Sequence, residues 1–442
     1  MPDAVSVTII ATGTPAAFVH GQDDMVAVDG GDGAIELEVA VGEGVGEKVS
    51  THEPIPDPDR CLGSVYRAGS GPASRSPRWS PHLKLQAPRR DTMAQTMVGA
   101  VLPGNSTVEL REFPVPAPGT RQVLLEMKAS TICGSDIRAI YKEHLGKGAE
   151  AYQNVICGHE PAGQVINLGP GVRRFREGDR VLLYHISGCG LCHDCRIGYP
   201  IGCTGPTRAA YGWQRDGGNA QFCLAEEADC LLMPDSMSYI DGASIACGFG
   251  TCYEAVRRIG VSGDDIALIV GLGPMGLASL MLARARGATT LIGVDISAER
   301  VELAHRLGLA DLVIPADEAA LERIRDATDG QGCEVAIDCS GSAAGRALAI
   351  RGARRWGRIA LVGEGGSVSF EPSPDLIHDQ KVIHGSWVTS LGNMEDLVER
   401  MPRWEMHPDA ICTHRFPLEE AAEAYRTMAE GKSGKVAIVF GD

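Results

Sequence analysis

Apolar positions along the chain change their rhythm twice. Between residue 97 and about 245, short apolar or alternating runs (QVLLEMKAS, AGQVINLG, DRVLLYHI, AQFCLAE) are separated by Gly, Pro and Asp, as in an irregular, mostly β domain. From about 248, strand-like and helix-like segments alternate: IALIVGLG, GLASLMLARARGA, TLIGVDIS, AERVELAHRLGL, CEVAIDCSG, RIALVGEGG. Apolar strands alternating with helices at this spacing predict an α/β fold with a doubly wound parallel sheet. The tail from about 384 predicts a helix (LEEAAEAYRTMAEG) and a last strand (KVAIVF) that return to the first domain. The expected division is thus residues 93–247 with 384–442 as one domain and 248–383 as the other.

Residues 1–92 follow neither rhythm. They begin acidic and Gly-rich, with one strand-like alternation in AIELEVAV, and continue into SGPASRSPRWSPHLKLQAPRRDT. Such Ser/Pro/Arg-rich composition reads as a disordered extension. Ordered patterning resumes at MVGAVLPGNSTVEL, which makes Met93 or Met97 the expected start of the functional unit.

Composition narrows the function. At 442 residues with 44% hydrophobic and 22% charged residues, the chain has material for two or three buried cores. A formal net charge of −16 argues against a nucleic-acid partner, because phosphate tracking needs clustered Lys and Arg. No run reaches the roughly 18 apolar residues of a membrane span, and the N-terminus lacks a basic leader. Six of the 14 cysteines fall where thiolate metal ligands are expected, which suits a reducing, cytoplasmic location.

The segment IALIVGLGPMGLASLMLARARGA is a strand, then Gly271-Leu-Gly273-Pro-Met-Gly276, then a helix. Gly271 permits the tight turn, Gly273 lets the backbone approach a pyrophosphate, and Gly276 lets helix pack on strand. The helix N-terminus offers free amides to the phosphates. Asp295 ends the next strand, placed to accept hydrogen bonds from the adenosine ribose and to repel a 2′-phosphate, selecting NAD over NADP. A glycine turn alone is weak evidence, but its strand–turn–helix setting is specific.

In SGCGLCHDCRIGYPIGC, Cys189, Cys192, Cys195 and Cys203 form two CxxC steps and a fourth thiol. Four thiolates folded around one point give closed tetrahedral coordination, the mark of a structural zinc. A zinc-finger reading is disfavoured by the acidic charge and the absence of a basic recognition helix.

Three further motifs, TICGSD, VICGHEPAG and IACGFGTCYEA, bring Cys133, His159, Glu160 and Cys247. In this order the motifs resemble the zinc-containing medium-chain alcohol dehydrogenases over about residues 97–442, closest to the sorbitol and threonine dehydrogenase type. The resemblance implies a Rossmann NAD domain and a chaperonin-10-like catalytic domain. It also implies Cys133, His159 and Cys247 as ligands of a catalytic zinc, hence two Zn²⁺ per chain, with an open position. A zinc of that kind acts as a Lewis acid on an alcohol. By the same resemblance Ser135 hydrogen-bonds the alcohol, Asp136 orients the ligand histidine, and Glu160 is the acidic neighbour that can approach the metal. Cys157, Cys223, Cys230 and Cys252 remain core thiols.

Two departures matter. Arg138 stands where many relatives place a proton-shuttling His, and an Arg cannot act as a base; it is expected to contact a cofactor ribose or phosphate, or an acidic substrate. His185 falls at a substrate-pocket position and favours a polar partner, with Trp387 a further candidate lining residue. The expected reaction is reversible hydride transfer from a small polar secondary alcohol (polyol, cyclitol or sugar) to NAD⁺, by a homo-oligomer, tetramer or dimer. The alternatives are a zinc-free quinone-reductase-like enzyme, which the two ligand sets disfavour, and an idle NAD- or zinc-binding structural protein.

Overall fold

The computed structural model describes residues 96–441. The segment 1–92, with its strand-like alternation and Ser/Pro-rich stretch, lies outside the described residues.

Strands are numbered in chain order. β1 (Thr96–Val101) and β2 (Glu109–Pro114) form an antiparallel ribbon. The first large sheet is built from β3 (Gln122–Ile132), β4 (Glu160–Leu168), β5 (Arg180–Leu183), β8 (Phe222–Glu226) and β9 (Cys230–Leu232). Two late strands complete it, β16 (Cys412–Pro417) and β17 (Lys435–Val439). Its order is β16-β17-β3-β4-β5-β9, with β8 also on β3. The tail therefore returns as its pattern predicts: β17 pairs antiparallel with β3 through Val436↔Ile132. Between β5 and β8 a second ribbon joins β6 (Ile186–Ser187) to β7 (Ala209–Ala210).

The second sheet is parallel throughout, in the order β12-β11-β10-β13-β14-β15. Its strands are β10 (Ile266–Val270), β11 (Thr290–Asp295), β12 (Leu312–Pro315), β13 (Cys333–Asp338), β14 (Ala353–Leu361) and β15 (Val382–Gly385). β15 straddles the expected 383/384 boundary. β10 and β11 are nearly all buried, as apolar strands with helices on both faces must be. The chain runs from β10 outward to β11 and β12 on one side and then crosses back to β13 on the other, so a crevice opens at the carboxyl ends of β10 and β13. The helices Gly250–Arg258, Pro274–Ala285 and Leu391–Trp404 contribute to one continuous apolar core with both sheets.

Of the two candidate starts, Met97 is buried in β1, facing Phe113 across the ribbon and packed with Ile156 and Ala220. A chain beginning at Met93 keeps all of β1 and is expected to unfold within a few degrees of the full chain by differential scanning fluorimetry. Deletion through Val101 removes buried apolar residues and should lower Tm by roughly 5 °C or more. A large loss of stability on starting at Met93 would show that earlier residues belong to the folded unit.

Candidate active site and metal centres

Cys133 is the first residue beyond β3, where the chain turns through a short helix, Gly134–Asp136, into a π-helical turn, Ile137–Tyr141. Asp136 is wholly buried. One carboxylate oxygen accepts the Cys133 backbone N–H at 3.0 Å and the other binds His159 Nδ1 at 2.7 Å. That bond fixes the imidazole and leaves Nε2 for a metal. His159 immediately precedes β4. Cys247 comes from a second π-helical turn, Ile245–Phe249, a local widening of the helix common at functional positions.

The structure brings these residues together: one potential ligand atom each from Cys133, His159, Glu160 and Cys247 lie within 4.8 Å of one another. The hydrogen bond with Cys247 holds the Cys133 thiol well below its usual pKa and, reciprocally, raises that of Cys247. Burial opposes charge on His159, but Asp136 outweighs it and lifts the imidazole well above its usual value. Buried negative charge shared by two thiols and an aligned imidazole are a donor set that fits zinc.

Glu160 has a further connection. One oxygen accepts the Gly248 N–H at 3.2 Å; the other is bonded by the Thr131 hydroxyl and paired with the Lys435 ammonium, itself buried. Burial lifts the Glu160 carboxyl to about 7 against the pull of Lys435. Thr131 lies two residues before Cys133, and Gly248 directly follows Cys247. Glu160 therefore ties together the three segments that carry Cys133, His159 and Cys247. This engagement was not foreseen from its acidic neighbourhood alone.

A cavity of about 670 Å³ opens from this cluster. Ser135 and His185 line it. His185 Nδ1 bonds the Ala246 carbonyl at 2.9 Å; a carbonyl only accepts, so Nδ1 carries the proton and Nε2 is an acceptor. Burial, helped by the charge of His159 and less by Arg208, pushes its pKa down to about 4. Trp387, more than half exposed, borders the same cavity. Arg138 also borders it, but its guanidinium is paired with Glu364, in the loop that follows β14. Arg138 thus bridges the two sheet systems in this structure.

The four-cysteine segment forms the excursion between β6 and β7. Its thiols also converge within 4.8 Å. Backbone amides point at the sulfurs: Leu191 and Cys192 N–H at Cys189 Sγ, Cys189 and Gly205 N–H at Cys203 Sγ, all at 3.2–3.4 Å. Amide bonding, first from Cys195, pulls the Cys192 thiol down to about 6. Donors aimed at sulfur favour thiolate, the form that binds metal. A Cβ on Gly188 or Gly205 would fall 2.6 or 2.5 Å from Cys195 or Cys189, so both glycines make room for the knot.

At the glycine turn, Gly271 has φ +93° and a Cβ there would lie 2.7 Å from Ser340 N; one on Gly276 would lie 1.8 Å from Gly271 O. Both positions require glycine. Asp295 stands beside the turn, its oxygens accepting the Leu272 N–H at 2.6 Å and the Ser297 N–H at 2.8 Å. Arg300, which sequence reading did not single out, sits 3.6 Å from Asp295, and its Cζ would be 3.4 Å from a Cβ on Gly273. Its buried Nε has no partner among the described residues.

Comparison with known proteins decides the family. The family model for the alcohol dehydrogenase GroES-like domain matches residues 119–235, and that for zinc-binding dehydrogenases matches 274–403. Over 352 residues the chain is 53% identical to an uncharacterized zinc-type alcohol dehydrogenase-like protein, YphC, of Escherichia coli K12, covering 79% of this chain and 100% of that protein. The chain belongs to the zinc-containing medium-chain alcohol dehydrogenases. Human sorbitol dehydrogenase is 30% identical over 76% of this chain and 94% of its own length. The structure of an NAD-dependent alcohol dehydrogenase superposes with a TM-score of 0.69 at 26% identity, covering 78% of this chain and all of that one. The two sheets are accordingly the GroES-like and Rossmann-like parts of this dehydrogenase family.

Asp136→Ala should free the His159 ring and leave the Cys133 amide unpaired, weakening one metal site by about 10–100-fold. Chelator competition is expected to show one metal released early and the four-cysteine metal retained. Equal release of both would remove the assigned role of Asp136.

Proposed function

We propose that the protein is an NAD-linked zinc dehydrogenase of polar secondary alcohols, holding two zinc ions per chain and transferring hydride reversibly between the carbinol carbon and the nicotinamide. One observation carries this reading: a single cavity is bounded by the Cys133, His159 and Cys247 cluster and also by Met275 and Ser340 beside the glycine turn. Alcohol and nicotinamide could therefore meet in one cavity.

Zinc held by Cys133, His159 and Cys247 would supply the Lewis acid that eases loss of the hydroxyl proton. Ser135 is placed to accept that proton's hydrogen bond. His185 offers a neutral acceptor to a second hydroxyl, which supports a polyol, cyclitol or sugar over a long aliphatic alcohol. Arg138 is paired with Glu364 and a guanidinium does not serve as a base, so the relay beyond Ser135 does not run through it. Gly271, Gly273 and Gly276 would cradle the diphosphate, with Asp295 at the ribose and Arg300 above the turn. The two ligand clusters favour this reading over a zinc-free quinone reductase, and the open cavity favours it over an idle binding protein.

Thiol ligands suit the cytoplasm. No helix among the described residues is long and apolar enough to cross a membrane. The edge strand β15, with Val382 exposed beside Trp356 and Ile377 elsewhere on the same domain's surface, supports assembly of copies into a homo-oligomer, since an unpaired parallel edge invites another chain.

Metal analysis should find about two zinc ions per chain, and Cys133→Ser should lose most turnover while circular dichroism and the four-cysteine metal are unchanged. Full activity in that variant would overturn the assignment. Asp295→Ser should move the kcat/KM ratio of NAD⁺ to NADP⁺ toward NADP⁺ by about tenfold or more; an unchanged ratio would remove Asp295 from cofactor selection.

A further inference from the structure

Arg208 is a charged residue of the cavity that the reading above leaves without a task. It directly precedes β7 and lines the cavity that contains His185. Its side chain is 17% exposed. Nε donates to the Ile201 carbonyl at 3.3 Å, and Nη1 reaches Glu150 at 3.3 Å. Among the described residues Nη2 makes no hydrogen bond. Glu150 is 73% exposed, so its hold on Nη1 is screened by water and easily exchanged.

Position makes this cation informative. β6 and β7 pair through Ile186↔Ala210 and Ser187↔Ala209, so one ribbon carries His185 just before its first strand and Arg208 just before its second. The His185 ring lies 5.3 Å from that of His159, and the charge of Arg208 is felt at His185. The cavity wall thus presents the Ser135 hydroxyl, the imidazole of His185 and a guanidinium with an open edge. Apolar side chains such as Leu145, Ile201 and Trp213 fill the intervening wall. With Nη1 held only by the exposed Glu150, the guanidinium keeps an Nη2 edge free at the cavity wall, and a planar anion matches that edge best.

We propose that Arg208 binds a carboxylate of the substrate, so that the preferred alcohols are hydroxy acids or polyhydroxy acids rather than neutral polyols. The inference rests on the dehydrogenase reading of the same cavity. A carboxylate fits better than a phosphate ester. One guanidinium matches a single planar anion, whereas a dianion usually gathers several donors. The chain's net charge of −16 offers no general attraction for anions, so the selectivity has to come from this one side chain.

The test uses matched probes with the zinc-loaded full chain and saturating NAD⁺: D-glucitol against D-gluconate, and 2-butanol against 3-hydroxybutanoate, with glucitol 6-phosphate as the competing anion. The wild type should favour the acid of at least one pair by about tenfold or more in kcat/KM, the scale of one charge-assisted hydrogen bond. Arg208→Gln should erase that ratio chiefly through KM, and Arg208→Lys should restore part of it. The proposal is overturned if the neutral member is preferred in both pairs, if glucitol 6-phosphate outruns the acids, or if Arg208→Gln slows acid and neutral probes alike and leaves the ratio unchanged. If no alcohol of any kind is oxidised, the dehydrogenase reading fails instead. Calorimetric titration of gluconate and 3-hydroxybutanoate then judges Arg208 separately: binding by the wild type that Arg208→Gln loses keeps the carboxylate site, and absence of binding ends it.

Discussion

The carboxylate of Glu160 is the constraint on which the catalytic half of the molecule depends. It accepts from Thr131 on β3 and from Gly248 in the π-helical turn, and pairs with Lys435 at the start of β17, while belonging to β4 itself. Cys133, His159 and Cys247 are immediate neighbours of these contacts. Two buried ions gain from each other only when the remaining lone pairs are satisfied; here the hydroxyl and the amide do that. Breaking such a pair by removing one partner typically costs about 3–5 kcal/mol, and the cost would fall on the geometry of all three ligands at once. The C-terminal strand is therefore part of the active site, although it ends some 300 residues after the first ligand.

The Rossmann-like half obeys a different constraint, that of space. Gly271 and Gly276 leave no room for a β-carbon, and Asp295 is held by the Leu272 and Ser297 amides. Preorganisation of this kind means that ligand binding does not have to order the turn. Glu364 and Arg138 then join the loop after β14 to the turn after Cys133, linking the two halves across the cavity they share.

What could be read from the sequence followed from locality. The four-cysteine spacing, the glycine turn with its flanking strands, and the alternation of strand and helix after residue 248 are all set by residues close together in the chain. The cysteine and histidine of the catalytic cluster were legible through short motifs in a familiar order. Side-chain partnerships over long separations were not. Lys435 gives no local signal that it meets Glu160, nor Glu364 that it captures Arg138. Arg300 was within reach, since it lies five residues beyond Asp295 in the helix that follows. Arg208 was hidden because pairing of two-residue strands across a long loop leaves almost no periodic pattern.

That ribbon has a consequence for how such enzymes diverge. Cys133, His159 and Cys247 stand just after β3, just before β4 and in the π-helical turn, whereas His185 and Arg208 stand just before β6 and β7, whose connecting segment carries the four cysteines. The cysteine–histidine cluster and the His185–Arg208 ribbon thus occupy separately anchored pieces of chain. A substitution on the ribbon changes what fills the cavity without disturbing the hub around Glu160, and the outer knot keeps the altered ribbon folded while it is sampled. The fold can in this way exchange its substrate as one would change a cartridge, which is a structural route by which one hydride-transfer scaffold comes to serve many alcohols.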